Sequence, residues 1–197
     1  MKVDDLLARD VNRLRRVIAK QLPDKVGSPT LVVLVGLPGS GKSYFAARLS
    51  EKVPAVILES DLLRKIVVRR PVYSQFESYR LFRAIHELVR ELLANRNNVI
   101  VDATNLSEAA RHPLYGIAVE TGAKIIVVHL NTPREVAKER LSYRLLQPDT
   151  YSDADWVVYQ KLESGFEPIA GPHHEVTRTM DISPIIDKIV AEIKQSK

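Results

Sequence analysis

Apolar positions recur at two different periods along the chain. Residues 4–22 place Leu7, Val11, Leu14, Val17, Ile18 and Leu22 three and four apart, the spacing of one helical face, and Pro23 stops the pattern. After a polar connector over 24–30, the aliphatic run 31–35 suits a strand buried on both sides. From there the two periods alternate. Helices are predicted over 42–52, after 58 with a break at Pro71, over 76–95, over 107–121 ending at Gly122, from Thr132-Pro133 to 146, over 154–164 and over 183–193. Strands are predicted at 55–58, 98–101, 124–130 and, more weakly, 175–180. Thr132 is placed to cap its helix, and Pro133 suits the first turn.

Strands that alternate with helices imply an α/β fold: a parallel sheet with helices on both faces and ligands at the carboxyl ends of the strands. The 197 residues, 45% of them hydrophobic, suffice for one domain and one core. That domain is read as 31–197, with 1–30 as an amphipathic helical extension. No internal repeat or low-complexity tract is visible.

Composition narrows the chemistry. The chain has no cysteine, which excludes disulfides, zinc-thiolate sites and a cysteine nucleophile. The first residues lack a signal-like apolar core and no later run approaches a membrane span, so the expected setting is cytoplasmic, with no membrane partner. The net charge of +5 is uneven: residues 61–96 hold eight Arg or Lys against four acids. A basic face beside a phosphate site would suit an anionic acceptor such as a nucleic acid end; a solvated helix surface explains the same charges.

Between the first strand and its helix lies Gly36-Leu37-Pro38-Gly39-Ser40-Gly41-Lys42-Ser43, which fits the P-loop spacing in the strand–loop–helix context that spacing requires. Glycines let successive amides turn inward on a polyphosphate, and the helix N-terminus adds positive potential. Lys42 is expected to reach the β- and γ-phosphates and Ser43 to hold a bridging Mg2+. The implied cofactors are ATP and Mg2+, with Tyr44 completing the nucleotide-binding stretch 36–44.

Three further groups sit where acceptor chemistry would be. Asp61, just past the second strand, can act as a base towards a hydroxyl acceptor, with Arg64 one turn on steadying that acceptor; alternatively Asp61 caps its helix and pairs with Arg64. Asp102 ends the third strand after three aliphatic residues, the position of an aspartate that helps hold a metal. Thr104 or Asn105 would face the phosphates or cap the next helix. Arg140 and Arg144, followed by a breaker-rich stretch, suit a lid over 140–155 closing on the γ-phosphate; Arg134 fits a solvated face better. His173-His174 reads as a surface loop rather than a metal site, His86-Glu87 lacks a second histidine, and Trp156, Tyr159, Leu162 and Phe166 recur at core spacing. Base recognition is expected around 179–183 and the lid.

Taken together, GLPGSGKS, SDLLRK, NVIVDATNLSEAARHPL, KERLSYR, SDADW and FEPI resemble the P-loop kinase group that includes polynucleotide 5′-hydroxyl kinases, zeta toxins and chloramphenicol phosphotransferases, over roughly 31–181. The resemblance implies a P-loop NTPase three-layer sandwich with strand order 2-3-1-4-5 and a phosphotransferase activity. It also implies Asp61 as general base, Arg64 at the acceptor, an active-site role for Asp102, and a lid arginine matching Arg140 or Arg144. The acceptor would be a 5′-hydroxyl nucleic acid, or a sugar, nucleotide sugar or antibiotic. An ATP-dependent module that regulates a partner is the reading of a different class. The helical extension lies outside the shared pattern and would pack on the sheet, mediate a homodimer or bind a partner.

Overall fold

A computed structural model describes residues 3–144, 154–177 and 181–195. Helix α1 (Val3–Ile18) and a short 3-10 turn precede strand β1 (Thr30–Val35), and α2 (Lys42–Ser50) follows the glycine loop. Then come β2 (Ala55–Glu59), α3 (Ser60–Val67), α4 (Gln75–Ala94), β3 (Asn98–Asp102), α5 (Glu108–Thr121), β4 (Lys124–Asn131), α6 (Arg134–Arg144), α7 (Trp156–Glu163), β5 (His174–Thr177) and α8 (Ser183–Lys194). The strands form one parallel sheet in the order β2-β3-β1-β4-β5.

Every residue of β1 is buried, which follows from its central place and its aliphatic composition. The side-chain period of two divides the core into two layers. Leu31, Val33 and Val35, with Val99, Val101 and Val127, face the cluster built by α1, α3, α4 and α5. Val32 and Leu34, with Ile100, Ile126 and Val128, face α2 and α8. Local signals end the elements where they should: Ser74 and Ser107 accept from the amides of Glu77 and Ala110 at the starts of α4 and α5. Gly122 closes α5 at φ +65°, a left-handed position that glycine takes without a Cβ clash.

Helix α1 joins the first of these layers. Val11, Leu14 and Ile18 are buried in it, so the apolar stripe of the helix is covered by its own chain. Asp10 is fully buried and takes Arg80 of α4 in a two-pronged pair, with Nη2–Oδ2 at 2.7 Å and Nε–Oδ2 at 3.1 Å. Further along both helices, Arg15 reaches Glu91. Among the described residues, no helix is long and apolar enough to cross a membrane.

The basic stretch is less free than its composition implied. Arg64, Arg80 and Arg90 are paired with Glu77, Asp10 and Glu120, because the acids that neutralise Arg80 and Arg90 come from distant segments. Lid residues 145–153 and the 178–180 part of the expected base-recognition loop and last strand lie outside the described residues.

Since Leu14 is completely buried, Leu14→Ala should cost about 2–5 kcal/mol of stability, read by urea denaturation as an earlier midpoint of a single transition. A separate early transition for α1, or a loss below about 1 kcal/mol, would mean that the helix is an appendage.

Candidate active site

The glycine loop is held from several sides by backbone and side-chain bonds. Gly36 N–H donates to Thr104 O at 3.0 Å, Ser40 N–H to Leu37 O at 3.1 Å, and the Thr132 hydroxyl to Ser40 O at 3.0 Å. Thr132, expected as a cap for α6, thus engages the loop. Arg140 Nη1 donates to Gly39 O at 3.0 Å. Gly39 and Gly41 sit at φ +79° and +97°, and a Cβ on Gly39 would stand 3.0 Å from Ala137 O of α6. Both the torsion and the space thus require glycine at 39.

The Lys42 side chain curls into this loop, its Nζ donating to Gly36 O at 3.0 Å and Leu37 O at 3.1 Å. The residue as a whole is partly exposed, but its ammonium is surrounded by protein. Burial pushes its pKa down, while the charges of Asp102 and Asp61 work in the opposite direction. Asp102 mirrors it: burial raises its pKa, opposed by Lys42 and by a hydrogen bond with Ser43. Parallel pairing sets Glu59 beside Asp102, and the Glu59 pKa is raised by burial and then by the charges of Asp102 and Asp61. One ammonium and three carboxyls therefore meet at the carboxyl ends of β1, β2 and β3.

Asp102 also tests whether the site suits a divalent cation. Its Oδ2 is buried without a hydrogen-bond partner, while Ser43, exposed at the start of α2, bonds the same carboxylate. An orphaned carboxylate oxygen beside a hydroxyl is a hard-oxygen donor set of the kind Mg2+ takes when phosphate oxygens complete its shell.

Asp61 lies in the first turn of α3. The N-cap position is Glu59, without a side-chain cap bond, so Asp61 is not the capping residue. Arg64 does not turn towards Asp61 as the local-pair alternative required. It is buried, with Nη1 on Glu77 Oε1 at 2.9 Å and Nη2 on Ser78 Oγ at 3.4 Å. Arg144 acts on the charges of Lys42, Asp102 and Glu59. Arg134 instead faces Glu163 and lies over Trp156.

A cavity of about 580 Å³ opens beside the loop, lined by Gly39, Gly41, Tyr44, Thr132, Arg140, Arg144, Thr177, Asp181 and Ile182 among others. Arg140 and Arg144 thus share one wall with the glycine loop. Tyr159 is buried under α6, with Trp156 stacked on it at 4.6 Å between ring centroids. Phe166 stacks on His129. His174 opens β5 and faces Glu192, and no group of three or more His, Asp or Glu among the described residues could hold a metal by itself.

Sequence reasoning missed Arg111. Fully buried, it donates to Asn105 O and Leu106 O through Nη1 and to Glu167 O and Pro168 O through Nη2, at 2.9–3.1 Å. It ties the segment after Asp102 to the segment after α7. Asn105, at φ +47°, in turn donates to Leu34 O of β1 at 2.7 Å. Neither Thr104 nor Asn105 caps α5, since Ser107 does. One arginine among alanines offers no pattern that marks it as buried.

A parallel sheet in this order, with a phosphate-type loop after its central strand, defines a P-loop nucleotide-binding domain. The AAA domain family model matches residues 31–169, and the chain belongs to that family. It is 34% identical over 117 residues to the L-seryl-tRNA(Sec) kinase of Methanococcus maripaludis, covering 56% of this chain and 44% of that protein. It is 27% identical over 152 residues to human 6-phosphofructo-2-kinase/fructose-2,6-bisphosphatase 3, covering 68% and 29%. The chain therefore spans less than half the length of either. A structure of Chaetomium thermophilum Kti12 in complex with ADP-AlF3 shares the fold at TM-score 0.67 and 20% identity, over 84% of this chain and 98% of that one.

Arg111→Ala would leave four carbonyl groups without their donor, and a loss of about 3–5 kcal/mol is expected in urea denaturation. Arg111→Lys should not restore it, because an ammonium lacks the guanidinium fork that spans two pairs of acceptors. Full stability in the lysine variant would refute the tie.

Proposed function

We propose that the chain is a kinase that transfers the γ-phosphate of ATP to a hydroxyl group, with a nucleic acid 5′-hydroxyl as the first acceptor to test. The observation that carries this reading is the convergence of Lys42, Asp61 and Asp102 on one another at the edge of the sheet that also presents the glycine loop. Gly36–Ser43 and Tyr44 would hold the nucleotide, with loop amides on the phosphates and Lys42 moving from the loop carbonyls onto the β- and γ-phosphate oxygens. Ser43 and Asp102 are the residues that would hold Mg2+, which when bound neutralises phosphate charge.

Asp61, in the first turn of α3, would accept the proton of the attacking hydroxyl. Arg140 and Arg144, on the wall of the cavity, would face the charge that spreads over the transferring group. Arg64, held by Glu77, would act mainly by shaping the acceptor side. For the acceptor, one curated relative carries a tRNA in its name and another a sugar phosphate; the basic surface next to Asp61 favours a polyanion over a small sugar. A homodimer through α1 would have to use the outer face of the helix, because Val11, Leu14 and Ile18 are buried within the chain.

Asp61→Ala should lower transfer of labelled γ-phosphate to a hydroxyl-ended oligonucleotide by a hundredfold or more, about 2.7 kcal/mol, while Mg-ATP affinity measured by calorimetry stays within about threefold. Lys42→Met should abolish both. Unimpaired transfer in Asp61→Ala removes that residue as the base, and unchanged nucleotide affinity in Lys42→Met overturns the whole assignment.

A further inference from the structure

The connection between α3 and α4 and the start of α4 expose a cluster of large side chains. Val72, Tyr73, Phe76 and Tyr79 are 76, 44, 59 and 55% exposed, four within eight residues. A single exposed apolar residue is ordinary, but a cluster of this kind marks a contact surface. Phe76 and Tyr79 lie three residues apart on the first turns of α4, and Tyr73 stands just before the helix.

Each ring also carries an arginine. The guanidinium of Arg64 lies 4.8 Å from the Tyr73 ring centre, that of Arg80 lies 5.9 Å from Phe76, and that of Arg83 lies 5.7 Å from Tyr79. Exposed Arg69 and Arg70 precede them. Residues 64–83 contain six bases and a single acid, Glu77. That acid is buried and structural: it pairs with Arg64 and accepts from Val72 N–H at 2.9 Å. With Arg64 and Arg80 neutralised by Glu77 and Asp10, the basic character of this aromatic surface comes from Arg69, Arg70 and Arg83.

This surface is built rather than loose. Tyr73 stands at φ +55°, an unfavourable setting for a non-glycine residue, and Glu77 secures the residue before it. Arg80 is anchored by the buried carboxylate of Asp10, so α1 fixes the second arginine of the row. The row begins at Arg64, one turn from Asp61 on α3, and covers about 10 Å of helix axis between Phe76 and Arg83.

We propose that this row binds single-stranded nucleic acid, bases stacking on Tyr73, Phe76 and Tyr79 and phosphates facing Arg69, Arg70 and Arg83, so that one strand end reaches Asp61. The binding surface is independent of the phosphoryl chemistry; the delivery of an end to Asp61 rests on the kinase reading. Aromatic rings interleaved with fixed cations match the two components of a flexible strand, a π-face and a charge per nucleotide. A duplex hides its base faces in its own stack and meets only the cations, and a neutral protein surface would leave the cations unpaired.

The test is fluorescence anisotropy with 3′-labelled twelve-nucleotide RNA and DNA, single-stranded and duplex, over a salt series. Wild-type protein should bind single strands at least tenfold more tightly than duplex. Each of Phe76→Ala and Tyr79→Ala should weaken single-strand binding about tenfold, with Phe76→Tyr and Tyr79→Phe near wild type. Arg69→Ser with Arg70→Ser should flatten the log K against log salt slope by about 1.4. Mg-ATP affinity, measured alongside, should be unchanged in all of these. Equal binding of duplex and single strand, or unchanged single-strand binding by the alanine variants, overturns the row while leaving the kinase reading intact. Loss of Mg-ATP affinity in wild-type protein would instead count against the kinase reading. A preference for RNA or for DNA identifies which strand the surface takes.

Discussion

An ammonium group and a carboxylate, brought together where an apolar sheet ends, set the terms for the structure around them. Lys42 and Asp102 are each disfavoured as ions by burial and each favoured by the other, and neither alone would sit there charged at low cost. The neighbouring backbone supplies what their mutual attraction does not: the carbonyls of Gly36 and Leu37 receive the ammonium, and the Ser43 hydroxyl bonds the carboxylate. Holding those partners in place requires the glycine loop to be fixed, which explains the bonds to it from Thr104, Thr132 and Arg140.

That requirement spreads outward through two polar anchors. Arg111 stitches the strand end carrying Asp102 to residues 167 and 168, and Asn105 fastens the same turn to β1. On the same face of the sheet, Asp10 and Arg80 bind α1 to α4. Both anchors bury an ion only where several acceptors or a complementary fork meet it, the condition under which such burial is tolerated.

Much of the fold was legible because its causes are local. Five strands and the helices between them were readable from period, caps and breakers, and the strand order followed from the resemblance rather than from the pattern. The glycine loop was visible as well, since its chemistry needs a contiguous motif. What escaped depends on long-range partners. Nothing near Arg64 in sequence announces that Glu77 will take it, and nothing near Arg80 announces Asp10, seventy residues away. The composition of 61–96 overstated the free charge for that reason. Arg111 escaped because burying an arginine depends on four carbonyls gathered from two separate segments. Thr132 shows the same limit: a threonine before a proline looks like a cap, and only the packed structure brings the Ser40 carbonyl within its reach.

The position of Trp156 has an optical consequence. It is the sole tryptophan of the chain, stacked on Tyr159 with Arg134 and Lys138 of α6 over its ring. Cations near an indole shift and quench its emission, so a tilt of α6 relative to α7 changes the intrinsic fluorescence without any added dye. The chain thus carries its own spectroscopic gauge on the very helix that bears Arg140 and Arg144.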